Sequence, residues 1–231
     1  MLIIALIGID GCGKTTQAKM LLSRLTNEGF HALYIQPILS FLNLPILSKI
    51  KENSCISPRI NATKEFSKSE KGHSHKKKNL IKKWFFIFFG YFYAICSYLL
   101  IRLFSSNNIV ICDRFFYQFF YDIYGEHALM VSRFFPRPNL VFFLDIQPEL
   151  AYSRMASEYD TSIKMDYYSS VTEFYNKLNK YYSFKKMDAN VGQDGLNEKI
   201  FLYTRQFILK KHSQEYENSE RTIEDFEKTI A

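Results

Sequence analysis

The sequence is poor in cysteine, glycine and proline. Its 231 residues include four cysteines, nine glycines and six prolines. These counts exclude a collagen-like or disulfide-rich chain, and the apolar fraction of 47% excludes a wholly disordered one. The four cysteines lack the pairwise spacing of a metal site and suit a reducing compartment. The length fits one large domain or two small ones.

The N-terminal segment lacks the features of a secretory signal. No basic residue precedes its apolar run, and no small-residue cleavage site follows. We therefore expect a cytoplasmic protein, with membrane association at the cytoplasmic face as the alternative.

Acidic residues are scarce between Lys64 and Lys83, where eight lysines accompany two glutamates. The whole chain has 30 Lys+Arg against 23 Asp+Glu, a formal net charge of +7, so this one run supplies the basic excess. Aromatic residues follow the run and do not interleave with it, which argues against a nucleic-acid partner. His73 and His75 inside the run are expected to be solvated and not to bind a metal.

Short apolar runs alternate with helical patterns along the chain. Residues 2–7, 32–35, 109–112, 140–144 and 184–187 are predicted strands. Helices are predicted over 14–27, 84–104, 115–134 and 167–182, from Pro148 onward, and around 196–208. This alternation predicts a parallel α/β sheet covered by helices on both faces. We expect one domain over 1–211 with a basic, mobile insertion at about 62–83, followed by an acidic tail over 212–231.

One motif has a specific chemical meaning. Residues 8–15 read GIDGCGKT, a complete match to G-x-x-x-x-G-K-[ST] between a predicted strand and a predicted helix. Glycines let backbone N–H groups point at phosphate oxygens, and the helix N-terminus adds its dipole. Lys14 is predicted at the β- and γ-phosphates of ATP, and the Thr15 hydroxyl on Mg²⁺. The predicted ATP-binding residues are Gly8, Ile9, Asp10, Gly11, Cys12, Gly13, Lys14, Thr15 and Thr16.

The surroundings of this loop resemble those of thymidylate kinases. Residues 8–17 (GIDGCGKTTQ) resemble the family's loop, 110–115 (VICDRF) its strand ending in Asp-Arg-Tyr/Phe, 144–149 (LDIQPE) its Leu-Asp-x-x-Pro-Glu turn, and 187–189 (MDA) its last Asp-Ala. These landmarks occur in the family's order and span the chain from Leu2 to about Phe207.

The resemblance implies an ATP-dependent kinase of the nucleoside-monophosphate kinase superfamily, with thymidylate as the default acceptor. It implies a P-loop NTPase three-layer sandwich with five parallel strands in the order 2-3-1-4-5. Asp113 would support Mg²⁺ through water, Arg114 would hold the acceptor phosphate, and Asp10 would accept a hydrogen bond from an acceptor hydroxyl. Phe115 is assigned to the acceptor site with them. Arg154 either joins Lys14 and Arg114 at the phosphates or is a surface arginine at a helix end.

Arginine is missing at two places where the family usually carries it. The helix before the third strand has none between Arg59 and Arg102, and the lid region has none between Arg154 and Arg205. The alternatives are therefore a kinase for another small phosphate or hydroxyl acceptor, or a nucleotide-binding membrane-surface protein with little turnover. Hydrolysis without an acceptor is disfavoured, because residues 176–179 (NKLN) only nearly match a GTPase base-reading motif.

Residues 84–101 carry no charge and just reach the length of a membrane span. Spanning would separate the phosphate loop from Asp113 and Arg114, so we expect the segment to stay on one side of any bilayer. Two interpretations remain. The helix covers the sheet and also contacts a second subunit in a homodimer, or it lies on an anionic membrane whose lipids meet the lysines.

Overall fold

The computed structural model describes residues 1–37, 76–105, 108–156 and 165–230. The described strands are β1 (Leu2–Ile7), β2 (Ala32–Ile35), β3 (Ile109–Asp113), β4 (Leu140–Asp145) and β5 (Lys185–Asp188). They form one parallel sheet in the order β2-β3-β1-β4-β5. The predicted fold class and strand order are confirmed.

Helices connect these strands. In the described residues they are α1 (Lys14–Asn27), α2 (Lys76–Phe104), α3 (Phe116–Tyr124), α4 (Ala128–Arg133), α5 (Pro148–Ala156), α6 (Met165–Tyr182) and α7 (Gln193–Ile230). Strand β1 lies in the middle of the sheet, and all six of its residues are buried. Because successive side chains point to opposite faces of a sheet, both faces are covered at this strand, as the apolar run predicted.

The helix predicted over residues 115–134 is wrong as a single element. The chain forms α3, a 3₁₀ turn over Gly125–His127, and then α4. Gly125 has a φ of 56°, a left-handed conformation that does not continue an α-helix. The apolar residues of the two helices continue with one helical spacing, so the sequence pattern does not indicate this break.

Two helices are longer than their apolar patterns indicate. Helix α2 begins at Lys76 and not at residue 84, so residues 76–83 of the basic segment belong to it, whereas residues 62–75 lie outside the described residues. Helix α7 continues to Ile230 through most of the acidic tail. Lysine and glutamate are good helix formers, and a polar helix gives no apolar spacing to detect.

A cluster of aromatic rings joins α2 and α3 through Phe135. The ring of Phe135 lies 4.9 Å from that of Phe116, 5.0 Å from Phe120 and 5.8 Å from Tyr98. Such edge and tilted contacts each add about 0.5–1.5 kcal/mol beyond the burial of area. The cluster also reaches Phe115, two residues after the end of β3, whose ring lies 5.9 Å from that of Phe135.

Helix α2 buries one face and exposes the other. Ala94, Ser97, Tyr98 and Ile101 are buried, whereas Phe88, Phe92, Leu99, Leu103 and Phe104 are exposed. Within the described ranges we find no helix whose length and hydropathy would suffice for a membrane crossing.

Candidate active site

The glycine-rich loop between β1 and α1 is wedged between two other elements. Gly8, Gly11 and Gly13 have φ values of 146°, 84° and 93°. A Cβ atom on Gly8 would lie 2.6 Å from the carbonyl oxygen of Leu144 in β4, and one on Gly11 would overlap the carbonyl of Ala151 in α5. Glycine is required at both positions by conformation and by close approach. The loop thereby lies against the first turns of α5.

Lys14 is folded over this loop. Its Nζ donates hydrogen bonds to the carbonyl oxygens of Gly8 (2.9 Å) and Ile9 (2.7 Å), and it lies 3.5 Å from Oδ1 of Asp10. The side chain is buried, so the loop holds an ammonium group where phosphate oxygens are predicted. The Cys12 thiol lies beside it, and burial raises the pKa of that thiol despite the attraction of Lys14.

Asp113, at the end of β3, is the centre of a hydrogen-bond network. The register of β1 against β3 pairs Leu6 with Asp113, which brings the carboxylate beside the loop. Its Oδ2 accepts hydrogen bonds from Thr15 Oγ1 (2.6 Å), Tyr34 OH (2.8 Å) and Gln36 Nε2 (2.7 Å). Burial, followed by the neighbouring Asp113, raises the pKa of Tyr34, so its hydroxyl stays a donor at neutral pH.

The donor atoms at this place suit Mg²⁺. A hydroxyl has one hydrogen, and Thr15 gives it to Asp113, so the lone pairs of its oxygen remain for a cation. Oδ1 of the fully buried Asp113 has no hydrogen-bond partner among the described residues. Mg²⁺ prefers such oxygen ligands and usually keeps waters and substrate phosphates as well. The predicted pair of Thr15 and Asp113 therefore fits the ion that nucleoside triphosphates carry.

Arg114, the residue after Asp113, forms an ion pair with Asp10 of the loop. Nη2 of Arg114 lies 2.9 Å from Oδ1 of Asp10, and Nε also donates to this oxygen at 3.3 Å. Arg114 has a φ of 67°, a conformation uncommon outside glycine and enriched at functional sites. Burial opposes the charge of this guanidinium, but the Asp10 carboxylate outweighs it, and the pKa of Arg114 is raised.

Of the other predicted site residues, Arg154 contacts the phosphate loop, whereas Phe115 is packed in the core. Arg154, in the last turn of α5, donates through Nη1 to the carbonyl oxygen of Gly11 at 3.3 Å, so it lies at the phosphate loop. Phe115 is almost completely buried, and its ring packs at 5.1 Å from Phe116. Contact of Phe115 with an acceptor would require this packing to open.

A second polar network follows the Asp113–Arg114 turn. The Tyr167 hydroxyl on α6 donates to Oδ1 of Asp122 on α3 at 2.6 Å, and Gln118 Nε2 lies 3.5 Å from the same hydroxyl. Tyr175 is buried nearby, and its pKa is raised well above the ordinary value by burial and then by Asp10. Sequence analysis missed Tyr167, whose regular helical spacing is typical of a core position.

Comparisons with known proteins agree with this geometry. The family profile described as thymidylate kinase matches residues 76–200, more than half of the chain. The probable thymidylate kinase of Pyrococcus horikoshii is 30% identical over 150 residues, which cover 62% of this chain and 64% of that protein. Probable thymidylate kinase 1 of Saccharolobus solfataricus is 30% identical over 92 residues, 37% of this chain and 49% of the relative.

A longer match extends across most of the molecule. The probable thymidylate kinase of Sulfurisphaera tokodaii is 26% identical over 203 residues, 85% of this chain and 92% of that protein. The two 30% identical relatives, by contrast, are each matched over less than two thirds of their own length. The family profile, the strand order and the phosphate loop lead to one assignment: the chain belongs to the thymidylate kinase family.

Proposed function

We propose that this protein is an ATP-dependent nucleotide kinase that transfers the γ-phosphoryl group of ATP to a nucleoside monophosphate, with thymidylate as the first acceptor to test. The observation that carries the proposal is the meeting of Lys14, Thr15 and Asp113 at one glycine loop. Membership of the thymidylate kinase family supports the same chemistry. Phosphoryl transfer needs little covalent chemistry from a protein, because catalysis is mostly positioning and charge stabilisation.

Each residue of the donor side has a role that its position supports. Lys14 exchanges the carbonyl oxygens of Gly8 and Ile9 for phosphate oxygens of ATP, since these neutral acceptors hold an ammonium less strongly than a phosphate does. The N-terminus of α1 contributes its dipole to the same phosphates. Thr15 and Asp113 are the residues that would hold Mg²⁺, which when bound would neutralise negative charge on the phosphates of ATP.

The acceptor side depends on Arg114 and Asp10. Arg114 presents a planar guanidinium that can bind an acceptor phosphate with two parallel hydrogen bonds. Asp10 then accepts a hydrogen bond from the acceptor hydroxyl. Arg154, which touches the loop at Gly11, adds positive charge near the transferring group. The relatives, all named as probable thymidylate kinases, support thymidylate as the acceptor.

The test is direct measurement of transfer from ATP to thymidylate, followed by separation of the nucleotides. We expect turnover of ~1–100 s⁻¹, as for other kinases. Lys14→Ala should abolish transfer, whereas Lys19→Ala, an exposed lysine on the same helix, should leave it unchanged. Thermal unfolding of both variants verifies that they are folded. Full activity of folded Lys14→Ala protein would refute the assignment of the loop.

A second acceptor class is favoured by the sequence. Arginine is missing between Arg59 and Arg102 and between Arg154 and Arg205, where the family usually carries it, so an acceptor other than thymidylate is the alternative. The acceptor series therefore includes other nucleoside monophosphates and phosphosugars. Transfer to one of these and not to thymidylate would support the proposed kinase activity and refute thymidylate as the acceptor. ATP binding without transfer to any of these acceptors would favour the alternative function, a nucleotide-binding protein with little turnover.

We also propose that the exposed face of α2 binds a second copy of this chain. Phe88, Leu103 and Phe104 on this face are 76%, 72% and 82% exposed. Arg102 is the one charged residue in the sequence from Phe88 to Phe104, and homodimer interfaces are apolar and depleted in charge. A twofold axis would place the same face of each subunit against the other.

Sedimentation equilibrium tests the pairing. The wild-type chain should be a dimer. Leu103→Asp should shift it towards monomer, and Leu209→Asp, at an exposed position on α7, should not. A wild-type monomer that floats with vesicles of anionic phospholipid would refute the homodimer and favour the membrane interpretation.

A further inference from the structure

The strand β2 ends beside the metal-binding side of the site. Its register against β3 pairs Ile35 with Cys112, so the next residues along the two strands, Gln36 and Asp113, are also neighbours. Tyr34 and Gln36 are two residues apart, and side chains with that spacing point to the same face of a strand. Both therefore reach the Asp113 carboxylate, at 2.8 Å and 2.7 Å.

The hydrogen bonds to Asp113 are distributed unevenly. One oxygen, Oδ2, accepts from Thr15, Tyr34 and Gln36, whereas Oδ1 is buried without a partner among the described residues. A carboxylate can accept hydrogen bonds on both of its oxygens. Because three donors meet at one oxygen here, they hold the carboxylate in one rotational position. They leave the second oxygen for a ligand that the described residues do not supply.

Two of these three donors come from outside the phosphate loop. Tyr34 lies on β2 and Gln36 directly follows this strand, so their bonds to Asp113 do not depend on how the loop moves when nucleotide binds. The carboxylate they hold in turn accepts the single hydroxyl hydrogen of Thr15 and thereby sets where the lone pairs of that oxygen point. Groups that orient a metal ligand through a hydrogen bond commonly change metal affinity or activity by about 10–100-fold when they are removed.

We infer that Tyr34 and Gln36 are positioning residues that hold the Asp113 carboxylate, and through it the Thr15 hydroxyl, for Mg²⁺–ATP. The inference rests on the proposed function of the donor side, because it assumes that ATP binds at the loop together with Mg²⁺. It assigns Tyr34 and Gln36 a role that they exert through their hydrogen bonds to Asp113.

The experiment compares the dissociation constants of ATP in excess Mg²⁺ and in EDTA by calorimetry. Tyr34→Phe and Gln36→Leu remove one donor each and keep most of the side-chain volume. Tyr203→Phe and Gln206→Leu make the same changes at exposed positions of α7 and serve as controls. Both conditions are measured on the same variant, so a simple loss of stability does not change their ratio.

We expect Mg²⁺ to tighten ATP binding to the wild-type chain and to both controls. In Tyr34→Phe and Gln36→Leu this gain should fall by about tenfold or more, with the affinity in EDTA unchanged. Variants that keep the full gain from Mg²⁺, or that lose affinity equally in both conditions, would overturn the inference alone. If the wild-type chain binds ATP no better with Mg²⁺, the metal assignment at Thr15 and the inference both fail, and if it binds no ATP the proposed function fails as well.

Discussion

A methyl group on Gly11 should test whether the phosphate loop and α5 are in the close contact described above. Gly11 has a φ of 84°, and a Cβ atom there would lie closer than 3.0 Å to the backbone oxygen of Ala151. Gly29, after α1, has the same φ of 84° but nothing within 4 Å of its Cβ position. Gly11→Ala and Gly29→Ala therefore share the strain of a left-handed residue, and Gly11→Ala alone adds the overlap.

The magnitude follows from these two terms. A left-handed conformation costs an L-residue roughly 1–2 kcal/mol, and alanine also restricts the unfolded chain at both positions, so these contributions cancel between the variants. Overpacking against backbone, which has no rotamer to change, costs about 1–3 kcal/mol. Gly11→Ala should thus be less stable than Gly29→Ala by that amount. For a chain of this size each kcal/mol lowers the melting temperature by roughly 2–4 °C.

Thermal unfolding without nucleotide measures the stability difference, and calorimetric ATP titration measures its consequence. If the overlap pushes α5 from the loop, Arg154 loses its contact with the Gly11 carbonyl, and ATP affinity should fall in Gly11→Ala only. Equal melting temperatures for Gly11→Ala and Gly29→Ala would show that the loop does not pack on α5. The placement of Arg154 at the loop would then have lost its structural support.

Further outcomes follow from the same geometry. Arg154→Lys keeps the charge but loses the planar fork, so turnover should fall towards that of Arg154→Ala, ~100-fold below wild type, with little change in melting temperature. Cys112 is buried with its pKa raised to about 12, and burial also raises the pKa of Cys12, so mass spectrometry should find neither thiol alkylated by iodoacetamide at pH 8 in the folded protein. Alkylation of Cys12 before unfolding would contradict the packing of the loop. An acceptor analogue that lacks its sugar hydroxyl should bind the ATP-loaded protein about 10–150-fold more weakly than the parent compound in a competition assay, because a hydrogen bond to a charged group contributes about 1.5–3 kcal/mol.

The donor side could be predicted from the sequence because its chemistry lies in consecutive residues. Residues 8–15 carry the glycines, the lysine and the hydroxyl in one stretch, and the strand and helix around them follow from local patterns. The strand order came from the resemblance, since no local pattern says which strands are neighbours. Family likeness also pointed to Asp113 and Arg114, whose side chains contact different residues, Thr15 and Asp10 respectively.

The residues that were missed depend on contacts between distant segments. Tyr34 and Gln36 precede Pro37 in a stretch without a motif, and their importance appears only when β2 is placed beside β3. Tyr167 has the helical spacing of a core residue, and its hydrogen bond to Asp122 depends on how α6 packs against α3. A tyrosine satisfies both apolar packing and a polar contact, so periodicity alone does not separate the two roles.

Asp10 connects the two halves of the proposed reaction. Its carboxylate lies 2.9 Å from Arg114 and 3.5 Å from Lys14, and it is almost completely buried. If Lys14 turns to the phosphates of ATP and Arg114 to the phosphate of the acceptor, Asp10 loses two cationic neighbours, and a buried carboxylate with less compensation is costly. A hydroxyl of the acceptor that donates to Asp10 offsets this cost only when both phosphates are in place. We therefore expect the ion pairs of Asp10 to favour binding of ATP together with a hydroxyl-bearing acceptor. Binding should be weaker when Lys14 and Arg114 both leave Asp10 and no acceptor hydroxyl replaces them.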